Sequence, residues 1–329
     1  MLKVLVIGSN SFSASNFINY LLSNDYMVFG ISRSFEINDV FLPYKFNTKA
    51  NNFKFLKYDI NENLTEIIEL IKKEKISHIV NFAAQSMVGE SWENPEHWYM
   101  TNTLSTIKLH QRLKDLDCLE KYLHISTPEV YGSCNGLVKE NTIYNPSTPY
   151  ATSRAAADMS LKNFFDTYDF PVVFTRAANV YGEHQQLYRI IPKTILSVLS
   201  NKKLPLHGGG HSVRSFIHMD DVSDATEKIL ISGTLGDIYH ISTTRMISIR
   251  DLVKMIIEQL GKNFVDCVEN SEDRKGKDNA YLLDSSKLRN ELNWYDKISL
   301  EIGIERTIKW VVDNYDILQK QPLNYIHKP

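Results

Sequence analysis

Short apolar runs alternate with longer stretches of helical spacing through the first half of this chain. Lys3–Ile7 is apolar and rich in β-branched residues, the pattern of a strand buried on both faces. Phe17, Ile18, Leu21 and Leu22 then recur on one helix face. Runs at Met27–Ile31, Phe53–Tyr58, His78–Phe82, Tyr122–Ser126 and Val172–Thr175 predict further strands, and Leu64–Lys72 predicts a helix. Parallel neighbours need a crossover helix, so this alternation predicts an α/β fold with a doubly wound parallel sheet.

The rhythm changes after about Arg176. Pro192, Pro205 and Gly208-Gly209-Gly210 interrupt it, and short elements lead to amphipathic helices around Ile249–Leu260 and Ile302–Asn314. This predicts a smaller α/β carboxy-terminal lobe over the sheet's carboxyl edge, where ligands bind in open α/β folds. The stretch from Gln319 to Pro329 is expected to pack poorly.

Composition adds little to that pattern. Hydrophobic residues make up 43% and charged residues 23% of 329, ordinary globular values. A net charge of −2 with scattered basic residues gives no case for nucleic acid or an anionic membrane as partner. Cys118, Cys134 and Cys267 are too few for a disulfide framework or a zinc site, so no metal is expected. No signal peptide and no membrane-spanning run stand out, so a cytoplasmic location is expected.

The first predicted strand ends in Gly8-Ser9-Asn10-Ser11-Phe12-Ser13-Ala14. A turn there aims backbone N–H groups and a helix amino terminus at a pyrophosphate, as in a Rossmann-type dinucleotide site. Only Gly8 remains of three glycine positions; Ser11 and Ala14 fill the others, and an ordinary strand-to-helix turn is the competing reading. The second strand ends in Ser32-Arg33-Ser34, where an NAD site would carry a carboxylate for the ribose hydroxyls. A cation flanked by hydroxyls suits a 2′-phosphate, so NADP is favoured over NAD, with Arg33 as a plain loop residue the alternative.

Tyr150 and Arg154 are four residues apart, which sets a cation beside a phenol on one helix face. A tyrosine with an ordinary pKa near ~10 needs such a charge to act as a base near neutral pH. With Ser126-Thr127-Pro128-Glu129-Val130-Tyr131-Gly132, this pair resembles the extended short-chain dehydrogenase/reductase enzymes, in particular nucleotide-sugar 4,6-dehydratases and epimerases. The likeness extends through Asn81–Ser86, a helix start at Thr101-Asn102, Arg176–Gly182 and Val213–His218, nearly the whole chain. The family has lysine where this chain has Arg154, whose fork is bulkier and cannot lose its proton.

The resemblance implies roles. Thr127 would hydrogen-bond the sugar hydroxyl, and Glu129 would remove the carbon 5 proton once carbon 4 is a ketone. One branch protonates the leaving hydroxyl with an aspartate; Pro128 stands in its place, which leaves Glu129 both tasks. Cofactor contacts are implied at Gly8, Ser11, Phe12, Ser13, Ser32, Arg33, Asp59, Ile60, Ala83, Ala84, Tyr150 and Arg154. A nucleotide-diphosphate sugar would meet Gln85 and Ser86 at the sugar, Asn179, Arg214 and Arg274 at the diphosphate, and Arg189, Lys193 and His207 at the nucleoside. The family likeness also implies a homodimer and a role in polysaccharide biosynthesis. Residues 1–176 would form the cofactor domain, with parts of about 214–241 and 281–288 returning to it, and 177–329 mainly the substrate lobe.

A 4,6-dehydratase is thus the leading expectation. A 4-epimerase needs no carbon 5 base such as Glu129, and a decarboxylase needs a cation for a substrate carboxylate. A non-catalytic binding protein on the same fold is the rival of another class.

Overall fold

The computed structural model describes residues 1–134, 136–271 and 282–328. Its centre is a sheet of seven parallel strands: β1 (Lys3–Ile7), β2 (Met27–Ser32), β3 (Phe53–Lys57), β4 (His78–Asn81), β5 (Lys121–Ile125), β6 (Val172–Ala177) and β7 (Ile238–Ile241). Their spatial order is β7-β6-β5-β4-β1-β2-β3, so the chain reverses direction between β1 and β4. That reversal opens a crevice at the strands' carboxyl ends, the usual ligand position in such sheets. The first six strands fall where the apolar runs place them. The seventh comes from beyond residue 230 and closes the edge beside β6.

Period-two alternation divides the core between the two faces. Val4 and Val6 face α1 (Phe12–Ser23) together with Val80, Leu123 and Tyr239. Leu5 and Ile7 face the other way, toward α2 (Leu64–Glu74) and α3 (Thr106–Leu113), with Ile79, Tyr122 and Phe174. The 20-residue helix α4 (Pro149–Tyr168) lies on this second face, capped by Thr148, whose hydroxyl accepts from the Ala151 N–H at 3.1 Å. A further apolar cluster joins α5 (Ile190–Leu199) to α7 (Ile249–Gln259) and α8 (Leu300–Asp313). Between these, α6 (Met219–Ser232) packs back onto α1.

Two local expectations change. Thr101-Asn102 is no helix start: Tyr99–Ser105 is a π-helical stretch leading into α3. The segment after Gln319 is not uniformly loose either. Tyr325 and His327 turn inward while Ile326 and Lys328 are exposed, the alternation of an extended strand.

Candidate active site

The turn that follows β5 and the helix α4 converge at the carboxyl end of β5. Thr127 has extended backbone and caps the turn Pro128–Tyr131, its hydroxyl accepting from the Glu129 N–H at 3.3 Å. Proline at the first position of that turn costs no hydrogen bond. Gly132 ends it with φ +67°, in a conformation where an added Cβ would stand 2.1 Å from the Asn145 carbonyl oxygen.

Tyr150 enters from the first turn of α4 with 8% of its surface exposed, and it hydrogen-bonds Thr127. Burial and then the Glu129 carboxylate push its phenol above the usual value of 10.0; Arg154, Thr127 and Arg189 pull in the other direction. Thr127, Glu129, Tyr150 and Arg154 therefore form one group. Arg154 is 2% exposed and reaches back under β5, where one guanidinium nitrogen donates to the Ile125 carbonyl and lies 3.2 Å from His124 Nε2. Its other terminal nitrogen is buried with no hydrogen-bond partner among the described residues.

Beneath this group is a polar cluster that the sequence motifs do not reveal. Asp158 accepts from Ser126 Oγ at 2.7 Å and Arg176 Nη2 at 2.9 Å, and lies 3.5 Å from His124 Nε2. The side chains of Asp158, His124 and Arg176 are wholly buried. Burial, then the charges of Arg154, His110 and Arg176, hold His124 well below its ordinary pKa, so it is neutral. Asp158 is four residues beyond Arg154, and that i,i+4 spacing is the one sequence signal for the cluster.

The other expected residues fall around the same edge. Gly8 takes φ +84°, and a Cβ there would meet Ala83 N at 2.9 Å, so the turn lies hard against the residues after β4. Ser11 caps α1, accepting from the Ala14 N–H; Phe12 is buried and Ser13 half-buried. The Oγ of Ser9 and the Oδ1 of Asn10 are buried without a partner among the described residues. Ser32 ends β2, and the next residue, Arg33, donates to the Lys328 carbonyl at 2.9 Å. Asp59 accepts from the Asn61 N–H at 2.8 Å, and Ile60 is buried. Ala83 and Ala84 are half-buried, Gln85 is buried and Ser86 exposed. Asn102, in the π-helical stretch, grips the Gln85 backbone from both sides, accepting from its N–H at 2.8 Å and donating to its carbonyl at 3.0 Å.

On the lobe side, Asn179 pairs with Phe216 in a short parallel ladder, and Arg214 lies two residues before that ladder. His207 Nδ1 lies 2.9 Å from Ser271 Oγ. Arg189, exposed, directly precedes α5 and covers the Tyr188 ring at 5.4 Å, and Lys193 is one turn further on. Arg274 lies outside the described residues. Among the described residues no helix is long and apolar enough to cross a membrane.

A parallel sheet with a switch-point crevice, and a Thr-Glu-Tyr group beside a buried helical cation, define an enzyme of the extended short-chain dehydrogenase/reductase class. A sequence model of the GDP-mannose 4,6 dehydratase family matches residues 5–307, and the chain belongs to that family. It is 32% identical over 332 residues to the human dTDP-D-glucose 4,6-dehydratase, covering 95% of this chain and 91% of that one. It is also 32% identical over 323 residues to a trifunctional UDP-glucose 4,6-dehydratase/epimerase/reductase of Arabidopsis thaliana, and there spans only 47% of the relative's length. Among solved structures, dTDP-glucose 4,6-dehydratase from Bacillus anthracis in complex with NAD superposes with a TM-score of 0.86 at 32% identity, covering 97% of this chain and 99% of that one. The Streptomyces venezuelae dTDP-glucose 4,6-dehydratase, with NAD bound, gives 0.88 at 30% identity, covering 96% and 98%.

Proposed function

We propose that this protein is an NAD-dependent nucleotide-sugar 4,6-dehydratase that converts a nucleotide-linked hexose to its 4-keto-6-deoxy form. The observation that carries this reading is the convergence of Thr127, Glu129, Tyr150 and Arg154 at the carboxyl end of β5. The residues around the crevice fit a dinucleotide. The Gly8 turn packs against the Ala83 backbone with no room for a Cβ, and Ser9 Oγ, Asn10 Oδ1 and one Arg154 nitrogen are buried without a hydrogen-bond partner among the described residues. Held there, NAD would supply the reversible hydride chemistry that oxidation at carbon 4 and reduction at carbon 6 require.

The chain's own residues do the rest. Thr127 holds the carbon 4 hydroxyl while Tyr150 takes its proton, and the Arg154 charge favours the phenolate that must form. The resulting ketone acidifies carbon 5, and Glu129 removes that proton. Pro128 has no proton to give, so Glu129 passes the one it took to the carbon 6 hydroxyl, which leaves as water. A solvent proton at carbon 5 completes the product.

The cofactor preference favoured by Ser32-Arg33-Ser34 is NADP. We favour NAD, because the solved dehydratase relatives hold NAD and Arg33 is engaged by the Lys328 carbonyl. A homodimer is supported by Met100, Leu104 and Met159, large apolar side chains exposed on α4 and the π-helical stretch packed against it. A cytoplasmic location fits a soluble nucleotide sugar as substrate.

The test is incubation with a panel of nucleotide-linked hexoses, followed by mass spectrometry and 4-keto absorbance. Loss of one water is expected, and Glu129→Gln should slow it by roughly 10²–10⁴-fold while oxidation at carbon 4 persists. Unchanged mass with inverted carbon 4 would replace this reading with an epimerase.

A further inference from the structure

Dinucleotide sites that select NAD do so with a carboxylate at the end of the second strand, which holds the ribose hydroxyls and repels a 2′-phosphate. This chain has no carboxylate there. Ser32, Arg33 and Ser34 present a cation and two hydroxyls, chemistry that welcomes a phosphate. An NAD enzyme with this sequence needs another source of discrimination.

The extended segment Tyr325–Lys328 lies against that position. Arg33 Nη2 donates to the Lys328 carbonyl at 2.9 Å, and Gln85 Nε2 donates to the same oxygen at 2.7 Å. One carbonyl therefore ties the residue after β2 to the loop after β4. The segment is pinned beyond it. The His327 ring stacks on Trp98 at 5.0 Å and on His97 at 5.1 Å, with 2.8 Å between His97 Nδ1 and His327 Nε2. Tyr325 meets the Tyr188 ring edge-on at 5.6 Å, and its hydroxyl is 3.5 Å from Gln85 Oε1. The backbone next to Arg33 is fixed as well, since Asn10 Nδ2 donates to the carbonyls of Ser34 at 3.0 Å and Phe35 at 2.9 Å.

We propose that the segment Tyr325–Lys328 is a wall of the cofactor site and favours NAD over NADP by engaging Arg33 through Nη2. A 2′-phosphate that takes the Nη2 edge of Arg33 displaces the Lys328 carbonyl, and displacement also disturbs the His327 stack and the Tyr325 contacts. The 2′-hydroxyl of NAD makes no such demand. This proposal rests on the dinucleotide-dependent reading given above, and it is separable from it by experiment.

The experiment measures the affinities of the purified protein for NAD and NADP by titration calorimetry, for the full chain and for a variant lacking residues 322–329. The deletion begins beyond the buried Leu318 and removes exposed Pro322–Asn324 first, so the lobe core stays intact. His327→Ala, which removes only the stacked ring, serves as a milder second variant. The full chain should prefer NAD. Deletion should shift the NADP-to-NAD affinity ratio toward NADP by at least tenfold, His327→Ala should shift it the same way by less, and adding Arg33→Ala to the deletion should cancel the gain. An unchanged ratio in both variants overturns the proposal, as does a full chain that already prefers NADP through Arg33. Failure of the full chain to bind either dinucleotide would instead overturn the cofactor-dependent function itself.

Discussion

Asp158→Asn is the sharpest probe of how the candidate catalytic segment is held. The Asp158 carboxylate is wholly buried and accepts from Ser126 and Arg176 at 2.7 and 2.9 Å. Because His124 is neutral, this one negative charge is set directly against the buried Arg176 cation. Asparagine keeps the shape and one acceptor but removes the charge, which strands Arg176. Breaking a buried pair from one side costs about 3–5 kcal/mol, and the retained amide oxygen argues for the lower end. Larger domains move about 2–4 °C per kcal/mol, so a loss of about 3 kcal/mol in this long chain should lower the melting temperature by roughly 6 °C. Circular dichroism melts and urea titrations of Asp158→Asn, Arg176→Met and the double variant measure it. The double variant should be more stable than the sum of the single losses requires, because the uncompensated charge is gone. A loss under about 1 kcal/mol for Asp158→Asn, or strict additivity, would refute the account.

Two further predictions concern backbone and pH. Gly132→Ala should destabilise severely and leave little soluble protein, since the new Cβ would collide with the Asn145 carbonyl, a backbone atom, at 2.1 Å and φ is +67°. Acid should weaken the fold from about neutral downward. Burial lowers His110 from 6.5 to about 4, and burial and then the Arg176 charge lower His240 to about 3. Groups with depressed native pKa values contribute stability above the unfolded value and lose it as pH falls through the native one, here between about 6.5 and 3. Urea unfolding at pH 7 and pH 5 should show this loss, and His110→Leu should reduce it; equal stability at the two pH values would contradict it.

Much of this fold was readable because strands buried on both faces leave continuous apolar runs, as Val4–Ile7 and Val172–Phe174 do. The strand Ile238–Ile241 was harder to see, since His240 interrupts four residues that are all buried. Thr127, Glu129 and Tyr150 stood out through their spacing. Asp158 and His124 did not, because a charged or titratable residue in a helix or strand reads as solvent-facing until its buried partners are known. Arg33 reads in the sequence as a residue for a phosphate, and its bond to the Lys328 carbonyl, almost three hundred residues away, had no sequence signal.

That long-range economy extends to the making of the protein. Trp294 belongs to the same buried cluster as Val4 and Val6, and β7 seals the sheet edge from residues 238–241. At about 5–20 residues per second, a ribosome works for roughly 15–60 s between the first strand and that tryptophan. Until then the face of β1 and α1 lacks part of its cover, and the amino-terminal half has no finished unit into which it can settle during synthesis. A chain cut before residue 290 should therefore be a substrate for chaperones and proteases rather than a smaller working protein.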